Sequence, residues 1–236
     1  MDNLKIELSV IVLCYKSHDF ISEFCHQLLA ELKTLQVPFE IILVANFDDD
    51  KDPTPVLAKN LETMHPEVHA LNQKKKGKMG WDMRMGLQEA RGSYLVIIDG
   101  DGQMPSSDIP VVYNIIKNNP FDLVKTYRSI RMDGWYRKML SNWYNRLFNF
   151  LYNPSHGFKD VNSKPKIITR QAYLKLQLKS NDWFTDAEIM IQALQLDLKI
   201  CEIATVFRKN ERRASFVSFK TIFEFLFNLL RYKFSK

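Results

Sequence analysis

Two carboxylates one residue apart close an apolar run at Tyr94-Leu95-Val96-Ile97-Ile98-Asp99-Gly100-Asp101-Gly102-Gln103. In an extended chain, alternation points Asp99 and Asp101 the same way. At the end of a strand they face the crevice where open α/β sheets bind ligands. Adjacent like charges repel, so the pair calls for a cation. Hard oxygen ligands suit Mg²⁺ or Mn²⁺, and Mg²⁺ characteristically bridges to a substrate phosphate. The alternative use of such a pair is a solvated strand-end turn capped by its own Asp side chains.

Cationic residues cluster elsewhere. Lys74-Lys75-Lys76-Gly77-Lys78-Met79-Gly80 precedes a helical pattern. Glycines let a backbone approach an anion and a helix N-terminus favours one, so Lys78 is a candidate for the same ligand. Asp82, just inside the helix, suits either the ligand or the helix dipole. Arg128, Arg131 and Arg137 flank the end of a second strand pattern, and guanidinium forks match phosphate oxygens. Asp160-Val161-Asn162-Ser163-Lys164-Pro165-Lys166 falls in an irregular stretch. Asp160 there is a candidate base or positioning group, and Asn162 a loop-holding residue. Asp186 and Glu188 open another helix, as site acids or dipole partners. Arg208, Arg212, Arg213 and Ser215 form a late basic segment.

These residues need a frame. The first half alternates strand and helix patterns: strands at 8–14, 39–45, 68–71 and 94–98, and helices at 20–35, 56–61 and 81–90. That order predicts a parallel, doubly wound sheet with right-handed crossovers. The second half predicts a helix at 109–118, a strand at 121–127 and a long aromatic helix from about 133 to 152. A loop at 153–165 leads into a strand at 166–169 and a helix at 171–176. A helix at 185–196, a strand at 199–208 and an aromatic, basic helix at 216–234 follow. No linker separates the halves, so residues 1–215 read as one α/β domain. Residues 216–236 form a helix that belongs to it or to a membrane interface.

The chain has 236 residues, 46% of them hydrophobic, enough for a full-sized core. Its net charge of +6 suggests an anionic partner without choosing among nucleotide, nucleic acid and lipid phosphate. No nucleic-acid reading motif appears. Cys14, Cys25 and Cys201 lack disulfide or metal spacing and read as buried thiols of a cytosolic protein. Charges at Asp2, Lys5 and Glu7 do not fit a signal peptide, and no apolar run approaches the ~20 residues that span a bilayer.

The chain resembles family 2 glycosyltransferases of the GT-A fold, and within them the polyprenyl-phosphate, dolichyl-phosphate mannose synthase-like group. Across residues 8–215 the resemblance rests on the order of several short pieces. These are Ser9-Val-Ile-Val12, Ile41-Ile-Leu-Val44, Gly86-Leu87 with Ala90 and Gly92, and Asp99-Gly-Asp-Gly-Gln-Met-Pro105. Ser141-Asn-Trp-Tyr-Asn145, Asp160-Val-Asn-Ser163, Phe184-Thr-Asp-Ala-Glu188 and Arg208 to Ser215 complete the series. It implies a GT-A sheet, mostly parallel and flanked by helices, with aromatic basic helices at the C-terminal side. It implies transfer from a nucleotide-sugar donor, with Mg²⁺ or Mn²⁺ on Asp99 and Asp101. Leu13, Tyr15, Asn46, Lys78, Asp82, Gly100 and Gln103 then lie along the donor. Arg128, Arg131, Arg137, Lys164, Arg213 and Ser215 face an acceptor phosphate. Arg208 and Arg212 support the leaving diphosphate, and Asp160, Asp186 and Glu188 lie near the acceptor.

Two stretches depart from the family pattern. Where the family has Pro-x-Tyr-Asn-Glu this chain has Leu13-Cys14-Tyr15-Lys16-Ser17, and where it has Asp-Asp-Gly-Ser the chain has Ala45-Asn46-Phe47-Asp48. Asn46 thus stands in for an aspartate at the base, whose identity stays open. The function that the resemblance implies is inverting transfer to a polyprenyl-phosphate acceptor, and the alternative is a sugar hydroxyl of a surface polysaccharide. A polyprenyl phosphate needs no general base, and a glycan hydroxyl does. The aromatic helices fit the cytoplasmic face of a membrane or a contact with a second copy. A GT-A-like scaffold without catalysis is the alternative of another class.

Overall fold

The computed structural model describes residues 5–152, 154–155, 157–209 and 219–234. Seven strands form one sheet in the order β3-β2-β1-β4-β6-β5-β7. They are β1 (Leu8–Leu13), β2 (Phe39–Val44), β3 (Val68–Leu71), β4 (Tyr94–Asp99), β5 (Leu123–Arg131), β6 (Lys166–Thr169) and β7 (Ile200–Phe207). The helices are α1 (Phe20–Lys33), α2 (Thr54–Met64), α3 (Met79–Glu89), α4 (Asp108–Asn118), α5 (Trp135–Tyr152), α6 (Arg170–Tyr173), α7 (Thr185–Gln195) and α8 (Phe219–Phe234).

The central strand β1, Leu-Ser-Val-Ile-Val-Leu, is buried along its whole length. A strand covered on both faces reads as a nearly continuous apolar run rather than an alternation. Its alternate residues feed two cores. Val10 and Val12 pack with Phe24, Leu28 and Leu32 of α1 and with Ile109 and Val112 of α4. Ile11 and Leu13 pack with Met83 and Leu87 of α3, Phe148 of α5, Ile191 of α7 and Leu229 of α8. The helix α8 is thus seated on the second core. Tyr152 donates to the Leu229 carbonyl at 3.0 Å and Asn228 to Asp182 at 2.8 Å.

One strand runs against the rest. β6 pairs antiparallel with β4 and β5, while β5 and β7 pair parallel. This reversal brings the start of β6 to the edge where β1, β4, β5 and β7 end. Leu13, Asp99, Arg128, Lys164 and Phe207 therefore converge on one rim. Between β5 and β7 the register slips between Arg128 and Ile130. A bulge re-aims the side chains that follow it. Arg128 and Arg131 both line the cleft as a result, while Ile130 is exposed.

Candidate active site

A cleft of about 1010 Å³ opens along that rim. Asp99 ends β4 in register with Leu13 of β1. The turn that follows is tight: the Gly100 N–H donates to the Leu13 carbonyl at 2.9 Å, and Gln103 N–H to Asp101 Oδ1 at 3.1 Å. Gly102 has φ +68°, and a Cβ there would strike the Phe20 ring at 2.3 Å, so only glycine fits the turn. Gln103 ties this turn to the end of β7. Its side-chain amide donates to the Arg208 carbonyl at 3.0 Å, and its own carbonyl accepts from Arg208 N–H at 2.9 Å. Asp99, Asp101 and Gln103 all line the cleft.

Lys164 fills the space beside Asp99. Its buried ammonium lies 3.3 Å from Asp99 Oδ1 and 2.8 Å from Asp186 Oδ2. Lys166 holds the other oxygen of Asp186 at 2.5 Å. Burial works against every charge here. The two ammonium groups nevertheless hold the Asp186 carboxyl below its ordinary range. Lys164 is kept charged against its burial by Asp186 and Asp99, whereas burial pushes Lys166 down to about 8.

A basic wall faces this cluster. Arg128 grips Asp160 with both arms, Nε to Oδ2 at 2.6 Å and Nη2 to Oδ1 at 2.8 Å. Burial opposes the Asp160 charge, yet Arg128 holds its carboxyl well below the carboxylate range. Arg131 is gripped the same way by Asp133, at 3.0 and 2.6 Å, with Arg137 3.6 Å from the same carboxylate. Both guanidiniums stack near the Phe207 ring, at 5.1 and 5.6 Å. Three guanidiniums and two carboxylates thus make up the wall. A guanidinium has five donors, so a bidentate partner leaves three for another ligand. Beneath the wall, the fully buried Lys125 ammonium bonds to the Asp160 carbonyl and lies 2.9 Å from Glu202.

At the other end of the cleft Tyr15 donates to Asp48 at 2.6 Å, and the Lys75 ammonium lies 4.4 Å from the Tyr15 ring. Lys75 forms an ion pair with the buried Asp82, whose carboxyl is raised by burial against the pull of Lys75. Of the run Lys74-Lys75-Lys76, the middle residue turns inward, a choice that the run itself does not signal.

Several expected residues take other places. Asn46 is buried and donates to Asp82 at 2.9 Å while accepting from Gln73 N–H at 2.8 Å. Both ends of the amide are engaged, and Asn46 is not among the residues that line the cleft. Two of the backbone donors at the start of α3 are already taken. Lys78 N–H and Gly80 N–H donate to the carbonyls of Asn181 and Asp182 at 2.7 and 2.8 Å. Gly80 serves this contact, since a Cβ there would lie 2.0 Å from Thr185 Oγ1. Lys78 lines the cleft, but its ammonium pairs with Glu224 of α8 at 2.6 Å.

Glu188 is not brought to the cleft. It lines a different cavity and accepts from Lys179 N–H and Ser180 N–H at 2.9 and 3.0 Å. Asn162 does not hold its loop as expected: Oδ1 is buried without a hydrogen-bond partner among the described residues. Arg208 is described, whereas Arg212, Arg213 and Ser215 lie outside the described residues. The cleft also includes Trp183, Asp133 and Lys209, none of which the motifs singled out, and Ser141, which the motifs matched without giving it a role. Trp183 adjoins the Asp186 motif, which is the one signal that could have flagged it.

The family profile described as Glycosyl transferase family 2 matches residues 9–179. The dolichyl-phosphate beta-glucosyltransferase ALG5A of Trichomonas vaginalis is 25% identical over 220 residues, covering 86% of this chain and 66% of that protein. The dolichol-phosphate mannosyltransferase of Pyrococcus furiosus is 26% identical over 231 residues, covering 96% and 63%. The undecaprenyl-phosphate 4-deoxy-4-formamido-L-arabinose transferase of Sodalis glossinidius is 26% identical over 145 residues, covering 61% and 44%. The chain thus spans between under half and about two thirds of the length of these three relatives. Among solved structures, glucosyl-3-phosphoglycerate synthase from Mycobacterium tuberculosis, in complex with uridine-diphosphate, has a TM-score of 0.72. It is 14% identical, with 97% of this chain and 80% of that one covered. A complex of the same enzyme with Mn²⁺, uridine-diphosphate and glucosyl-3-phosphoglycerate scores 0.71 at 15% identity. The fold is that of the GT-A glycosyltransferases, and the chain belongs to glycosyl transferase family 2.

Proposed function

We propose that this chain transfers a sugar, with inversion, from a nucleotide-sugar donor to a polyprenyl-phosphate acceptor at the cytoplasmic face of a membrane. One observation carries the choice of acceptor. The three carboxylates that line or adjoin the acceptor side, Asp133, Asp160 and Asp186, are all locked by cations that lower their proton affinity. A weakened carboxylate is a poor general base for a hydroxyl. A phosphate oxygen attacks without surrendering a proton, and the wall of Arg128, Arg131 and Arg137 suits it. The matched relatives named for dolichyl or undecaprenyl phosphate support the same reading.

In this reading the nucleoside lies toward Leu13, Tyr15, Asp48 and Lys75, and the diphosphate toward Asp99 and Asp101. The chain's own donor set fits Mg²⁺ or Mn²⁺. Two carboxylates share the rim, and the Lys164 ammonium beside Asp99 marks a place where positive charge is favourable. No group of three metal-ligating side chains occurs among the described residues, so water and diphosphate oxygens would complete the shell. A divalent ion there would offset charge on the departing diphosphate. Arg208, held by Gln103 at the same rim, opens the basic segment that adds to this. The acceptor oxygen forms a bond to the anomeric carbon as the carbon–oxygen bond to the diphosphate breaks, on opposite faces of the sugar.

The membrane reading rests on exposed apolar side chains next to the basic wall. Trp135, Met139 and Trp143 recur at helical spacing on α5, with Ile130 and Met132 just before it. Phe227, Leu230 and Phe234 are exposed on α8 beside Arg231 and Lys233. Aromatic and basic residues together suit a lipid interface. No helix among the described residues is long and apolar enough to cross a membrane.

The test is incubation with Mn²⁺, a panel of nucleotide sugars and undecaprenyl phosphate, followed by solvent extraction. Label in the lipid phase supports the proposal. Label transferred only to an oligosaccharide acceptor rejects it in favour of a glycan hydroxyl.

A further inference from the structure

The ammonium of Lys164 lies against Asp99, one of the two carboxylates read above as ligands of a divalent ion. It is buried, spans Asp99 and Asp186, and also lies 3.6 Å from Met79 Sδ. Asp186 has a second ammonium at Lys166, so it is neutralised without Lys164. Among the described residues, the ion pair of Asp99 is with Lys164. Lys164 and Lys166 bring two positive charges to the two carboxylates that they hold, Asp99 and Asp186, so a divalent ion arriving there meets no unbalanced carboxylate in this set.

We propose that Lys164 is a built-in cation of the donor site, which competes with the divalent ion for Asp99 and makes ion binding depend on the donor diphosphate. Without diphosphate, an arriving ion must displace the ammonium from Asp99 and remain short of negative charge. With diphosphate, the added negative charge holds the ion and gives the displaced ammonium a phosphate oxygen to face. The metal and the nucleotide then bind as a cooperative pair, and the empty cleft keeps Asp99 and Asp186 neutralised. Lys164 is here a positioning residue for the ion. The inference rests on the reading of Asp99 and Asp101 as metal ligands.

The experiment titrates Mn²⁺ alone into the full chain and counts free ion by electron paramagnetic resonance. Lys164→Met should bind Mn²⁺ at least about tenfold more tightly than wild type, about 1.4 kcal/mol. Lys164→Arg keeps the charge and should bind like wild type. Equal or weaker binding by Lys164→Met overturns the inference and leaves the metal reading intact. Undetectable binding by every variant, even with inorganic pyrophosphate present, overturns both. A second measurement needs no variant. The Lys164 side-chain ammonium, followed by nitrogen-15 NMR in the wild-type protein, should shift on saturation with Mg²⁺. An unmoved resonance at saturation overturns the inference even if Lys164→Met does not fold.

Discussion

Replacing Asp160 with Asn separates two roles for this carboxylate. The side chain is 6% exposed and its partner Arg128 14%, so the pair is nearly dry. Asn keeps one acceptor for the guanidinium but removes the charge. Leaving one partner of a buried pair uncompensated costs about 3–5 kcal/mol. The retained hydrogen bond argues for the lower end, about 3 kcal/mol. For a chain of this size, ~2–4 °C is lost per kcal/mol, so the melting temperature at pH 7 should fall by about 6–12 °C. The pH dependence has a definite sign. Asp160 is held well below the usual carboxylate range, so its stabilisation is present above the unfolded value of about 4. It disappears as pH falls through the lower folded value. The gap between wild type and Asp160→Asn should therefore narrow below about pH 4. The assay is thermal denaturation at pH 7 and across the acid range, with acceptor kinetics alongside. Since Asp160 orients Arg128, the acceptor KM should rise more than turnover falls. A wild-type melting temperature joined to a turnover loss of about 10²–10⁴ would refute this reasoning, since that is the signature of a general base.

Other outcomes follow from the same geometry. Asp101→Ala should abolish Mn²⁺-dependent nucleotide binding while circular dichroism and melting stay near wild type; binding that persists, or that chelator does not weaken, contradicts the metal reading. Arg208→Ala and Arg212→Ala should lower turnover more than donor affinity, because their charge matters most as the diphosphate leaves. An unchanged turnover number in both removes them from the leaving-group role. Trp135→Glu with Trp143→Glu should weaken sedimentation with anionic liposomes, and raised salt should weaken wild-type binding, since each basic residue near the surface contributes about 1 kcal/mol. Equal binding by the variant and wild type would move the membrane contact away from α5.

The sheet was largely legible because its strands are buried runs bounded by turns. Leu8–Leu13 and Phe39–Val44 announce themselves by composition, and the helices by apolar spacing. Strand direction is a different matter. Nothing in Lys166-Ile-Ile-Thr169 marks it as reversed, since pairing direction comes from the connections and not from the residues of the strand. That reversal sets Lys164 and Lys166 at the cleft rim, which is why their grip on Asp186 was not foreseen. The bulge at Arg128 and Ile130 is similarly silent, because a two-residue alternation predicts both on one face. Acidic residues were the hardest to place. Asp186 and Glu188 are two apart near a helix start, yet one enters the cleft and the other caps a neighbouring loop. On a helix, residues two apart point to different sides, so only the packing of α7 decides which one faces the site.

The central claim is that the attacking oxygen belongs to a phosphate. Phosphorus NMR on the purified lipid product tests it most directly. Transfer to the phosphate of a polyprenyl monophosphate converts a phosphomonoester into a phosphodiester bearing the sugar. The account predicts that the acceptor signal decays as a phosphodiester signal grows in equal amount, with release of one nucleoside diphosphate per product. An acceptor that stays a phosphomonoester while sugar appears on a hydroxyl would contradict it.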